Sequence, residues 1–299
     1  MANHFLTILD FPRDEAFEML KRAHEMKRNS LRPDVLSGKT ILLIFEKAST
    51  RTRVSFEVGV RHLGGNAVFI ASRDSQLGRS EPLEDTARVL ARYADGLVVR
   101  TFGQHKLDVL AEYGDIPIIN ALTDEYHPCQ VMSDMLTMYE RTPDLEKLKV
   151  AWIGDGNNMA HSFINASAMF GFELAVACPE GYDPDQEIVD KAMDLGAKVT
   201  FTRDPAKAAE GAHYINTDVW ASMGQEEEQK LREVAFDGFI VDESLMAKAA
   251  PDAKFMHCLP AHRGEEVSAE VFESAASIVF DQAENRLHMQ KAIMEKVFR

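Results

Sequence analysis

Ser49-Thr50-Arg51-Thr52-Arg53 gathers three hydroxyls and two guanidinium groups into five consecutive residues, a set suited to binding an anion. The run from Lys39 to Phe45 before it is rich in strand formers, and the apolar-bearing segment after it continues to Leu63. A strand that delivers Ser49 to a helix start offers unpaired backbone N–H groups and the positive end of the helix dipole, which attract phosphate or carboxylate. An ordinary Ser N-cap beside solvated arginines is the simpler alternative for the hydroxyls, and the pair of arginines favours the anion site.

Other groupings have chemistry to offer. Arg100 closes the apolar run Gly96-Leu97-Val98-Val99, and His127-Pro128-Cys129-Gln130 precedes a helical run. Gly154-Asp155-Gly156 after a strand invites a dinucleotide reading, with Glu180 roughly where a ribose-binding acid would stand. Met159 occupies the place where that fingerprint needs a small residue, so Asn157-Asn158 read better as polar groups facing a cleft, or as turn formers. His257-Cys258-Leu259-Pro260 with His262 suggests a metal site or a Cys/His nucleophile. Further ligands at recognisable spacing are missing, and neighbouring strand residues point to opposite faces, so no metal is expected, although Cys258 at a strand terminus is well placed to touch a ligand. Asp218-Val219-Trp220-Ala221-Ser222-Met223-Gly224 follows another strand and is either an N-cap with its loop or a ligand loop.

The elements that must carry these groups alternate. A first amphipathic helix is expected from Asp14 to Asn29, with Phe17, Leu20 and His24 on one face. Between Val54 and Val60 the apolar residues fit either period, and the length and start signal predict a helix. Strands are expected at Asn66 to Ile70, Gly96 to Arg100 and Ile116 to Asn120, a polar loop at Ser72 to Ser80, and helices from Pro82 through Ala94 and from Lys106 to Tyr113. Thr142-Pro143-Asp144 is a plausible junction. Beyond it, strands at Leu148 to Ile153, Phe172 to Ala177, Lys198 to Thr202, His213 to Asn216 and Phe255 to Cys258 alternate with helical runs. A last helix at about Glu284 to Phe298, with Met289, Ile293 and Val297 in register, could cap either domain. The fold class is therefore α/β, with two domains that are each a parallel sheet flanked by helices, and ligands gather at the carboxyl edges of such sheets.

A chain of 299 residues has room for two domains, and its 45% apolar and 27% charged residues are those of an ordinary globular protein. No stretch is long and apolar enough for a membrane span, and no signal peptide is visible, so a cytoplasmic protein is expected. Cys129, Cys178 and Cys258 are too scattered for a disulfide framework. The net charge of −15 argues against nonspecific nucleic-acid or acidic-membrane binding, and an anionic ligand would need a locally basic pocket.

Phe45 through Arg53, Gln76-Leu77-Gly78-Arg79, His127 through Gln130, Asp218 through Gly224 and His257 through Pro260 occur in an order that resembles the ornithine carbamoyltransferases, within the aspartate/ornithine transcarbamylase family. The resemblance covers nearly the whole chain. It implies a carbamoyl-phosphate-binding domain of residues 1–142, joined by the C-terminal helix at about 284–299, and an ornithine-binding domain of residues 143–283, with the active site in the cleft between them. Ser49, Thr50, Arg51 and Thr52 would hold the phosphate of carbamoyl phosphate, with Arg100 bridging phosphate and carbonyl oxygen. His127 and Gln130 would address the carbamoyl group, and Gln76 would reach a neighbouring subunit's site in a homotrimer. Asn158, Asp218, Ser222 and Met223 would bind L-ornithine, while Cys258, Leu259 and Arg286 complete the pocket. Arg100, His127 and Cys258 are the implied catalytic residues, and no metal or organic cofactor is implied. Transfer to putrescine or aspartate, or a catalytically silent relative, are the alternatives. Aspartate would want extra cations where Asp218 stands, putrescine would leave Asn158 and Asp218 unpaired, and a silent relative would be expected to lack Arg51, Arg100 or His127.

Overall fold

Residues 3–71, 81–221 and 228–299 are described by the computed structural model. The chain divides into two compact units, Met1–Leu136 with Asn285–Arg299, and Thr137–Glu284.

In the first unit, helix α1 (Arg13–Arg28) precedes strand β1 (Thr40–Phe45), helix α2 (Thr50–His62), β2 (Asn66–Ala71), α3 (Leu83–Leu90), β3 (Gly96–Arg100), α4 (His105–Tyr113), β4 (Ile118–Leu122) and α5 (Pro128–Tyr139). Among the described residues these strands form a parallel sheet in the order β2-β1-β3-β4. β1 and β3 are central, and Ile41 to Phe45 and Leu97 to Val99 are buried, as the continuous apolar runs of a two-sided parallel sheet require. The buried stripe of α1 is Ala16, Met19, Leu20, Ala23 and Met26, whereas Phe17 and His24 are only half-buried, so the packed face is rotated from the expected one. α3 stops at Leu90, short of Ala94, because the chain turns to dock on β1: Asp95 N–H reaches the Thr40 carbonyl at 2.9 Å, and its carboxylate accepts from Thr40 N at 2.8 Å. β4 begins at Ile118, two residues later than expected, just past Pro117, which has no N–H to give a ladder.

The second unit continues with β5 (Lys149–Ile153), α6 (Asn158–Phe170), β6 (Glu173–Ala177), α7 (Gln186–Asp194), β7 (Lys198–Thr202), α8 (Pro205–Ala209), β8 (Tyr214–Thr217), α9 (Gln229–Ala235), α10 (Glu243–Met246), β9 (Lys254–His257) and α11 (Ala269–Phe272). Its sheet is parallel in the order β7-β6-β5-β8-β9. The final helix, α12 (Val279–Phe298), starts five residues before the expected Glu284, with Gln282 N–H already bonded to the Ile278 carbonyl at 3.0 Å.

Both sheets reverse direction next to their first strand. β1 has β2 on one side and β3 on the other, and β5 has β6 and β8. Loops leaving the carboxyl ends of such strands diverge to opposite faces and open a crevice at the switch point. The segment after β1 carries Ser49 to Arg53, and β3 ends in Arg100; the turn after β5 carries Asp155 to Asn158, and β8 leads into Asp218.

Candidate active site

In the first unit, Ser49 is the N-cap of α2, with φ −164° and its Oγ accepting from Thr52 N at 3.2 Å. The capping alternative is thus realised, and a hydroxyl network is built on it. Ser49 Oγ donates to Thr52 Oγ1 at 2.9 Å, and Arg286 Nη2, from α12, donates to the same Oγ1 at 2.6 Å. Both acceptor positions of the Thr52 hydroxyl are filled, so its proton is left to be donated elsewhere. Thr52 and Arg286 are buried, and Thr50 and Arg51 are exposed at the first turn.

Arg100 is buried at the end of β3, where a bulge shifts the register with β4 so that Arg100 stands opposite Leu122. His127, one residue before α5, is buried too. Burial, reinforced by the guanidinium groups of Arg286 and Arg100, holds its imidazole well below the ordinary histidine range, so it is neutral at neutral pH. Gln130, one turn along, donates through Nε2 to Asp134 Oδ1 at 2.9 Å. This fixes the amide with Oε1 as an acceptor; that atom is buried and has no hydrogen-bond partner among the described residues. Cys129 between them is inert: its thiol donates to the Asn120 carbonyl at 3.2 Å, and burial pushes its pKa up to about 12. The unit thus offers a buried pair of arginines, a neutral imidazole, an oriented hydroxyl and an amide acceptor.

In the second unit, Asp218 is 8% exposed. Its Oδ1 accepts from Val219 N at 2.8 Å and from Cys258 Sγ at 3.0 Å, and its Oδ2 from Asn157 Nδ2 at 3.3 Å. Asn157 rather than Asn158 makes this contact. It is the N-cap of α6, its Oδ1 accepting from Met159 N and Ala160 N, while Asn158 is the half-buried first residue of the helix. Leu259, half-buried, has φ +62°, a left-handed backbone uncommon for leucine, and its N–H donates to His257 Nδ1 at 2.8 Å. His257 Nε2 therefore carries the ring proton and bonds Glu266 Oε1 at 3.0 Å.

The expectation that His257 and Cys258 point apart fails here. Ligand atoms of Asp218, His257 and Cys258 lie within 4.8 Å of one another, because Cys258 follows the last residue of β9 and is free of the strand's alternation. With Nδ1 accepting and Nε2–H donating, however, His257 has no lone pair left for a metal. The glycines of Gly154-Asp155-Gly156 also have a local reason. A Cβ on Gly156 would come within 2.2 Å of Pro184 N and 2.3 Å of the Asp183 carbonyl carbon, so this glycine admits a neighbouring backbone. Gln76, Ser222 and Met223 lie outside the described residues. Asp134, Glu266 and Gln282, whose Oε1 accepts from His257 N at 2.8 Å, were not singled out by sequence and have no local signal. Asn157 was read with Asn158 as a cleft-facing or turn residue, and it serves as both helix cap and Asp218 contact.

Two parallel α/β units with ligand-competent polar groups at their switch points define a two-domain α/β protein built to hold small polar ligands. Residues 3–140 match the family model described as aspartate/ornithine carbamoyltransferase, carbamoyl-P binding domain, and residues 146–297 match the corresponding Asp/Orn binding domain. The chain belongs to the aspartate/ornithine carbamoyltransferase family. An ornithine carbamoyltransferase from Oleidesulfovibrio alaskensis is 67% identical, with 99% of each chain covered. The solved anabolic ornithine carbamoyltransferase from Campylobacter jejuni is 40% identical with a TM-score of 0.94, over 99% of this chain and 98% of that one. The enzyme from Pyrococcus furiosus is 44% identical with a TM-score of 0.93, over 98% and 96%.

Proposed function

We propose that this protein transfers the carbamoyl group of carbamoyl phosphate to the δ-amine of L-ornithine, giving L-citrulline and phosphate. The observation that carries the reading is buried His127 beside the guanidinium groups of Arg100 and Arg286, with Arg286 also bonded to the Thr52 hydroxyl, which suits an acyl phosphate in a strongly acidic protein. Each role follows from the donor type. Ser49, Thr50, Arg51 and Thr52 hold the phosphate at the start of α2, where N–H groups and the dipole favour it. Arg100 and neutral His127 donate to the carbonyl oxygen as negative charge grows on it, an effect worth ~3 kcal/mol per well-placed donor. The Gln130 Oε1 acceptor takes an N–H of the carbamoyl group. No covalent intermediate is required: the neutral amine attacks the carbonyl carbon, the C–O bond to phosphate breaks, and phosphate leaves with both bonding electrons and takes up the proton that the amine nitrogen sheds.

Ornithine's α-amino group is assigned to Asp218, with Asn158, Ser222 and Met223 completing its contacts. A carboxylate beside the δ-ammonium would raise that group's pKa and keep it from attacking, so Asp218 is better spent on the other end. Cys258 and Leu259 are assigned to contacts with the reacting groups. A putrescine enzyme is disfavoured, since a diamine keeps the ammonium that Asp218 would bind but lacks the α-carboxylate, so the contact assigned to Asn158 would go unmade, at about 1.5–3 kcal/mol for a hydrogen bond to a charged group. Citrulline formation measured side by side with ornithine, putrescine, aspartate and acetylornithine tests the assignment; turnover of another amine ahead of ornithine would overturn it.

The same reading includes a cytoplasmic enzyme of arginine biosynthesis acting as a homotrimer. No helix among the described residues is long and apolar enough to cross a membrane. Self-association is supported by edge strand β2 and helix α2 packed on it, which expose Val68 and Val54 at 45% and 50%. An open edge with exposed apolar side chains is a surface for a second copy to cover. Sedimentation at a mass of one chain would refute it.

A further inference from the structure

We propose that Arg232 is a positioning residue for the amino-acid substrate, fixing the stretch from Asp218 to Trp220. This rests on the reading of Asp218 as the ornithine-binding carboxylate. Arg232, in α9, is 6% exposed, and its Nη1 donates both to Asp155 Oδ2 and to the Trp220 carbonyl, each at 2.8 Å. The guanidinium carbon lies 4.9 Å from the Tyr182 ring centroid, and Nε reaches Glu228 at 3.3 Å. Three carboxyl-edge loops therefore converge on one side chain: the turn after β5 through Asp155, the loop after β6 through Tyr182, and the segment after β8 through Trp220.

The arrangement is expensive as a source of stability. Burying an ion pair removes two charges from water, and a well-packed apolar replacement is often as stable. Here burial, only partly offset by Arg232, raises the pKa of Asp155, to which the nearby Asp218 charge also contributes. What the pair supplies is geometry. Arg232 pairs with Asp155, a carboxylate near enough to Asp218 to feel its charge, leaving Asp218 as the acid available to an ammonium group. It also holds the Trp220 carbonyl, two residues from Asp218, while the Trp220 ring stacks on Phe236 with centroids 5.7 Å apart. A planar fork can bond a carboxylate and a carbonyl together; a lysine ammonium carries the charge without that fixed geometry. No part of Arg232 bonds Asp218 directly, so its influence is through the backbone and the local charge.

The test is steady-state kinetics of Arg232→Gln and Arg232→Lys with each substrate varied in turn, together with thermal unfolding. The KM for ornithine should rise about tenfold or more in Arg232→Gln, with a smaller rise in Arg232→Lys, while the KM for carbamoyl phosphate stays within about twofold. If Arg232→Gln fails to fold, Arg232→Lys decides, because it retains a cation beside Asp155. Equal shifts in both KM values, or an unchanged ornithine KM in a folded variant, would overturn the positioning role. Failure of the unaltered enzyme to use ornithine would instead overturn the functional reading itself, so the two failures are distinct.

Discussion

Replacing Arg286 with methionine isolates the charge of one side chain in the phosphate-binding unit. The substitution keeps an unbranched apolar stem in α12 and deletes the guanidinium that reaches Thr52 Oγ1 at 2.6 Å. Thr52 does not lose all support, because Ser49 Oγ still donates to the same oxygen at 2.9 Å, so the helix start should survive. The loss therefore falls chiefly on the anion. A hydrogen bond to a charged group contributes about 1.5–3 kcal/mol, which corresponds to an increase of about ten- to hundredfold in the KM for carbamoyl phosphate. A second readout follows from His127. Arg286 is one of the two cations that depress its pKa, so the variant should begin to protonate His127 at a higher pH than the parent, although burial still keeps the pKa below 6.5. The acid limb of the pH–rate profile should move upward accordingly. Initial rates of citrulline formation over a range of carbamoyl phosphate concentrations and pH, with urea unfolding as a control, make the measurement. A folded variant whose KM for carbamoyl phosphate stays within about twofold of the parent would refute the assignment of Arg286 to the anion site.

Arg51→Ala should abolish carbamoyl-phosphate binding with little change in urea midpoint, since Arg51 is exposed and has no ion-pair partner among the described residues; near-normal affinity by calorimetry would sink its phosphate role. His127 makes the fold acid-sensitive. Its folded pKa is depressed, so below pH 6.5 the unfolded chain takes up a proton that the fold excludes, and stability falls by up to about 1.4 kcal/mol per pH unit. Urea unfolding from about pH 7.5 down to about pH 5.5 should show this slope developing, and His127→Gln should flatten it; identical slopes would contradict the burial argument. A thiol reagent should label half-buried Cys258 first, whereas Cys129, with its pKa near 12, and buried Cys178 should react only on unfolding. Equal labelling of all three in the native protein, measured by mass spectrometry of digests, would contradict the buried thiols.

Much of the architecture could be read along the chain because its causes are local. Apolar runs of strand length alternating with helical periods imply parallel sheets with helices on both faces, and β1, β3, β5 and β7 lie within a residue of their expected limits. Ser49 before Thr50 carried a capping signal, and the structure has that cap. Errors arose where a tertiary contact overrode the period. Asp95 pulls the chain off α3 to bond β1, and the packed face of α1 is set by what it meets rather than by its first apolar residue.

Residue types, their order along the chain and capped helix starts such as that of α2 were determined by the sequence alone, since propensity, capping and alternation act over a few residues. Which polar groups meet was decided by tertiary structure. Arg286 reaches Thr52 across 234 positions, and Arg232 reaches Asp155 across 77. Asn157 rather than Asn158 meets Asp218, 61 positions away, and His257 and Cys258 converge just where the strand's alternation ends. Strand order is set by long-range packing, and only that order brings the ends of β1 and β3, and of β5 and β8, side by side. The pKa of His127 follows the same rule: an isolated histidine titrates normally, and burial beside two arginines is what holds this one neutral.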